Sequence, residues 1–130
     1  MKIERIIEVP GLAGCGDYGY AQLAIAGEFI FVAGQTGTNE KGQMVSPEFI
    51  PQARKTFENI EVALKAAGAT RHDIVSMTVF ITDWRYGRDF CTIRKEFLGE
   101  HLAPSALIGI GQLAYPDALV EVQCTAVRSR

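Results

Sequence analysis

With 130 residues, 48% of them hydrophobic and 22% charged, the chain has the length and composition of one globular domain, residues 1–130, built around a single core. A net charge of −2 argues against a protein that lives on phosphate backbones, so nucleic acid is not the expected partner. The opening MKIERIIEVPG has no apolar signal-peptide core and no stretch approaches the ~20 apolar residues of a membrane span, which makes a cytoplasmic location the expectation.

Taken in chain order, Ile3 to Val9 has strand composition and is stopped by Pro10 and the glycine-rich GLAGCGDYG. Within that loop Gly14-Cys15-Gly16-Asp17-Tyr18-Gly19 has the form G-x-G-x-x-G. A dinucleotide fingerprint needs a helix N-terminus after it to receive the pyrophosphate, and this loop runs instead into the strand-like YAQLAIA. Its glycines are therefore expected to serve a flexible loop. Tyr20 to Ala26 and Phe29 to Ala33 read as two strands about a tight turn at Gly27-Glu28.

TGTNEKGQM is a polar loop, after which Pro51 stands at a plausible first helical position. Ala53, Phe57, Ile60, Leu64 and Ala67 recur at helical spacing, and Gly68 is the stop signal. Asp73 to Thr82 alternates and is rich in β-branched residues, a fourth strand. Asp83 is a candidate cap for a second helix that buries Phe90, Ile93 and Phe97. The last two strands fall in PSALIGIGQLAYPDALVEVQ, Pro104 to Gln123, two apolar runs joined by a short turn. The order β-β-β-α-β-α-β-β predicts an α+β domain with two helices on one face of a mixed sheet.

Glu121 stands between two valines in the final strand. A buried ionised carboxylate costs several kcal/mol unless paired or protonated, so it is either on a wet face or has a task. Strand alternation puts Glu121, Gln123 and Thr125 on one face and Val120, Val122 and Cys124 on the other. A valine-bearing face left uncovered by the helices would expose more apolar surface than monomers tolerate, which points to an assembly. Three cysteines, Cys15, Cys91 and Cys124, with no C-x-x-C, and two histidines, His72 and His101, with no ligand spacing to them, indicate reduced thiols and no metal. Cys15 and Cys91 are weak nucleophile candidates because no histidine lies near either in sequence. Tyr18, Tyr20 and Tyr86 are candidates to line a pocket for a planar ligand, against the commoner role of aromatics in cores.

AQLAIAGEFIFVAGQTG, QARKTFENIEVALKAAGATRHDIVSMTVFITD and the closing ALVEVQCTAV together resemble the Rid family, the reactive intermediate deaminases also called YjgF, from about Tyr18 to Val127. The resemblance implies a chorismate-mutase-like subunit that assembles as a homotrimer with clefts between neighbours. It also implies hydrolysis of enamines and imines to a keto acid and ammonia with no cofactor. Carried over by position, the cleft tyrosine is Tyr20, the backbone ligands are Ala33 and Gly34, and the cleft glutamate is Glu121. A carboxylate near an imine carbon positions or deprotonates the attacking water.

The chain departs from that pattern where active members carry an arginine that grips the substrate carboxylate. Here the sequence is Pro104-Ser105-Ala106, which puts Ala106 at the arginine, or Leu107 if the turn is gapped differently, with Ile108 further along the same strand as a substrate-side candidate. The resemblance is thus to a Rid subfamily without the arginine. Arg94, on the second helix where the family often has asparagine, is the compensating candidate; the plainer reading is a surface arginine paired with Glu96 or Asp89. Two functions stay open: a hydrolase of an unstable enamine, imine or related unsaturated metabolite, and a non-catalytic trimeric protein that binds or senses a small molecule. Some relatives are labelled ribonucleases or translation inhibitors, a reading that the acidic balance and the lack of a basic stripe or paired histidines disfavour.

Overall fold

In the computed structural model, which describes residues 2–128, the chain runs β1 (Ile3–Ile6), β2 (Leu23–Ala26), β3 (Phe29–Gln35), α1 (Phe49–Ala66), β4 (Ile74–Ile81), α2 (Gly87–Leu98), β5 (Ser105–Gly109) and β6 (Val120–Val127). The strands form one mixed sheet in the order β1-β2-β3-β6-β4-β5. Only β4 and β5 pair in parallel, as a strand pair bridged by a crossover helix requires. Both helices lie on one face, giving the α+β, chorismate-mutase-like architecture expected from the sequence.

Local chemistry accounts for the elements. Between β2 and β3 the two-residue turn places Gly27 at φ 63°, the left-handed first position that glycine fills without strain. Pro51 sits in the first turn of α1 rather than at its first residue, still where a missing N–H costs nothing. Gly68, at φ 77°, turns the chain out of α1. Asp83 accepts from the Arg85 amide and caps a 3₁₀ turn, Trp84–Tyr86, that leads into α2 rather than capping α2 itself. Phe57 stacks on Phe97 at 4.4 Å and on Phe90 at 5.7 Å, which locks the two helices together over the sheet.

Three expectations need correction. The last two strands are not joined by a short turn: the connection is residues 110–119, and β6 inserts between β3 and β4, leaving β5 on the sheet edge. Val120, Val122 and Cys124 are buried beneath the helices, so the valine face is the covered one. The open face carries Glu121, Gln123 and Thr125, and its apolar surface comes from Phe29, Phe31 and Ile108 instead. Tyr86 serves the core instead of a ligand: it stacks on Phe49 at 4.4 Å and packs against the core cluster.

Candidate functional site

The site is built where β3 loses register with β6. Val32 pairs with Cys124 and Gln35 with Val122, so three steps along β3 answer two along β6. The extra residue makes a bulge at Ala33-Gly34, a device that bends a strand and re-aims its groups. Glu121 lies across it. A Cβ added at Gly34 would stand 2.5 Å from the Glu121 Oε2 atom, so glycine here is what lets the carboxylate lie on the backbone.

Several side chains fix this stretch. Gln22 donates to the Ala13 carbonyl at 2.7 Å and accepts from Gln35 Nε2 at 2.9 Å, while Gln35 also donates to the Ala33 carbonyl. The Ala33 amide donates to the Gln22 carbonyl, so both backbone groups of Ala33 serve the fold. From α1, Asn59 Nδ2 donates to the carbonyls of Thr36 and Thr38. Gly37 is pressed against α1, where an added Cβ would meet the Gln52 carbonyl oxygen at 2.7 Å. Gln52 is fully buried and holds the other wall: it donates to the carbonyls of Ser46 and Asp117 and accepts from the Leu119 amide. All four buried amide side chains, Gln22, Gln35, Gln52 and Asn59, lie outside the residues singled out from the sequence, and so does Tyr115.

Two cavities share this framework. An inner one of about 80 Å³ is lined by Glu121, Gln22, Gln35, Gly34, Thr36 and Tyr20, among others. An outer one of about 360 Å³ is lined by Tyr18, Tyr20, Ala114 and Tyr115. Tyr20, Ala114 and Tyr115 belong to both, so the two form one cleft with a polar floor and an aromatic mouth. Glu121 has no ion-pair partner among the described residues, and burial raises its pKa above the usual carboxylate range. Burial, followed by the neighbouring Cys15, Tyr115, Glu121 and Tyr18, raises the Tyr20 pKa, which keeps its phenol protonated at neutral pH.

The remaining candidates lie elsewhere on the chain. Ala106 pairs with Thr78, which pairs with Gln123, and Ile108 pairs with Phe80, which pairs with Glu121; both stand on the open face. Two strand spacings put Ile108 roughly 10 Å from Glu121. Leu107 pairs with the fully buried Val79 and points to the helix side, so of the two alignments only Ala106 puts a side chain on the face of Glu121. Arg94 donates to Ser105 Oγ at 2.9 Å and lies over the Phe90 ring at 5.2 Å, beside a cavity of about 310 Å³ that also contains Cys91 and Lys95. Its expected partner Glu96 is taken by Arg54. Thus Tyr20, Gly34 and Glu121 meet in one cavity, whereas Arg94, Ala106 and Ile108 do not line it.

Cys15 is buried and donates to the Tyr20 carbonyl, and burial followed by Glu8 raises its pKa. Burial pushes Cys124 up to about 12. Both thiols are therefore poor nucleophiles. His72 and His101, far apart in sequence, are neighbours in space with ring centroids 4.5 Å apart, which corrects the expectation of no paired histidines. They sit outside the linings of both cleft cavities. Among the described residues no helix is long and apolar enough to cross a membrane.

Comparison with known proteins places this geometry in a group. The chain is 34% identical over 135 residues to an Escherichia coli protein named a candidate reactive intermediate deaminase, TdcF, covering 98% of this chain and 99% of that one. It is 27% identical over 128 residues to the 2-iminobutanoate/2-iminopropanoate deaminase of Dermatophagoides farinae, covering 98% of each. A solved structure from Rhodopseudomonas palustris, described as a probable translation initiation inhibitor, superposes with a TM-score of 0.87 at 28% identity, covering 99% of this chain and 100% of that one. The family described as endoribonuclease L-PSP matches residues 16–128. The family match over residues 16–128 and the 34% identity to a deaminase-named relative over nearly the whole chain identify it as a member of that family, which is also the Rid or YjgF family.

Proposed function

We propose that this protein hydrolyses an unstable imine, or an enamine through its imine tautomer, to a carbonyl compound and ammonia, without a cofactor, in the cleft where Glu121 lies on Gly34. The observation that carries this reading is a half-buried carboxylate with a raised pKa and no ion pair among the described residues, set beside a protonated phenol. Such a carboxylate takes a proton from water as the water oxygen bonds to the imine carbon. That proton then passes to nitrogen to give a carbinolamine, the carboxylate carries the hydroxyl proton to nitrogen in turn, and the C–N bond breaks so that ammonia leaves as the carbonyl forms. Tyr20 closes the pocket and donates to the polar atoms of the reacting group. Relatives that carry deaminase names support the reaction class.

Because Ala106 stands where an anchoring arginine is expected, the chain belongs on this reading to the arginine-free branch. It works in the cytoplasm as a homotrimer in which a neighbouring copy presents Arg94, Ala106 and Ile108 to the Glu121 cavity. The test is ammonia release from imines generated in situ by amino-acid and amine oxidases, with the mass measured by light scattering at micromolar concentration. At least one imine is hydrolysed faster than its spontaneous rate, 2-iminopropanoate is accelerated little, and the mass is that of a trimer. No acceleration across the panel would overturn the hydrolase in favour of a binding protein, and a monomer mass would overturn the shared cleft.

Arg94 gives a separate expectation. If it serves as an anion anchor, Arg94→Met weakens binding of small carboxylates by about 1 to 3 kcal/mol in a thermal-shift titration. Equal stabilisation of both proteins by the same anions would leave it only its contacts to Ser105 and Phe90.

A further inference from the structure

We infer that the mouth of the cleft is an aryl subsite, and that the substrate is the imine of an arylalkyl amine that carries no carboxylate. This rests on the hydrolase reading and adds to it the substrate class. Volume is the first argument. The inner cavity, about 80 Å³, is large enough for a C=N group and a water but smaller than the cavity of about 150 Å³ that accommodates a benzene ring. The continuous outer cavity, about 360 Å³, is large enough for a ring and is walled by three phenols and a methyl group.

Exposure is the second argument. Tyr18 is 79% and Tyr20 48% exposed, and none of the three tyrosines stacks on another ring among the described residues. Rings held at a cavity mouth with open faces suit offset or edge contacts with an aromatic ligand. The 39–43 loop comes up to this wall, since a Cβ on Gly42 would lie 3.7 Å from the Tyr115 hydroxyl.

Charge is the third. Among the described residues neither lining contains Lys, Arg or His, and the one carboxylate is Glu121. A substrate carboxylate here would meet the like charge of Glu121 in a partly dry cleft, with no cation on this chain's own walls to neutralise it and Ala106 in the arginine's place. A protonated imine meets the opposite situation, attracted by Glu121 and by the faces of the tyrosines. The reaction balances without a further reagent: the iminium carbon gains the water oxygen as Glu121 takes one water proton and passes it to nitrogen, Glu121 then takes the hydroxyl proton as the C–N bond breaks, and the aldehyde leaves while ammonia takes that second proton as ammonium.

Two measurements separate this inference from the reading beneath it. In the first, ammonia release is followed with an excess of flavin amine oxidase acting on 2-phenylethylamine or propylamine, and of amino-acid oxidase acting on phenylalanine. The carboxylate-free aryl imine is accelerated about tenfold more than either of the others. Tyr115→Ala and Tyr18→Ala each lower the ratio of the aryl to the propyl rate several-fold, while Tyr115→Phe keeps it. In the second, the stable probes 2-phenylethylamine and 3-phenylpropanoate are titrated by NMR. The amine binds about tenfold tighter, and Tyr115→Ala removes most of that affinity. Equal or tighter binding of the carboxylate, or affinities untouched by both alanine variants, overturns the aryl subsite. Amine binding that is lost in Tyr115→Ala, with no imine hydrolysed at all, keeps the subsite and overturns the hydrolase. Hydrolysis without an aryl preference does the reverse.

Discussion

Glu121→Gln lowers turnover by a factor of about 100 or more and leaves the affinity for uncharged ligands nearly unchanged, because the amide keeps the shape and polarity of the side chain but cannot take a proton from water. The same substitution raises the melting temperature at pH 7. Burial holds the Glu121 pKa above its unfolded value, so the folded chain binds this proton more tightly than the unfolded one. The linked stability is fully present below the unfolded pKa and is lost as pH rises through the folded pKa. At pH 7 the wild type bears the cost of a half-buried charge, which glutamine removes; near pH 4 both side chains are neutral and the difference closes. Turnover follows the opposite course in the wild type, rising with pH as Glu121 ionises, with a midpoint above the ordinary carboxylate range. A melting curve paired with a pH–rate profile checks both. Wild-type turnover in Glu121→Gln would remove the carboxylate from the chemistry.

Gly37→Ala and Gly34→Ala fail in different ways. At Gly37 the new Cβ would stand 2.7 Å from the Gln52 carbonyl oxygen and 2.8 Å from its Cα, both backbone atoms of α1. Relief requires moving the helix or the loop, at a cost of about 1 to 3 kcal/mol. Gly37→Ala is therefore expected to melt at a clearly lower temperature and to lose activity with it. At Gly34 the clash, 2.5 Å, is with the carboxylate end of Glu121, a side chain that can swing aside. Gly34→Ala thus keeps most of its stability and loses about as much turnover as Glu121→Gln. Denaturation midpoints alongside rates for the two variants check this, and equal stability losses would show that the Glu121 side chain is rigidly fixed.

The fold was legible because its signals are local. Helical spacing of Phe57, Ile60 and Leu64, the alternation in Asp73 to Thr82 and the Gly27 turn each follow from neighbours in sequence. The insertion of β6 between β3 and β4 is non-local, which is why the sequence left the wrong face of β6 bare. At the site, Glu121 announced itself as a charge among valines, and resemblance supplied Tyr20 and Gly34. Tyr115 had no such signal, since it lies on the 110–119 connection, whose place depends on Gln52 more than sixty residues away. His72 and His101 likewise meet only through the packing of distant segments.

The position of β6 has a consequence for synthesis. It is the last strand of the sheet to leave the ribosome, yet it pairs on both sides, with β3 and with β4. Until it arrives, β3 and β4 each present an unpaired edge, the kind of surface that recruits other strands. Glu121 is carried on that same strand, so a product of interrupted translation has neither a continuous sheet nor a carboxylate in the cleft. Such fragments are exposed to proteolysis without ever being active, and completion of the sheet and assembly of the cleft become a single event.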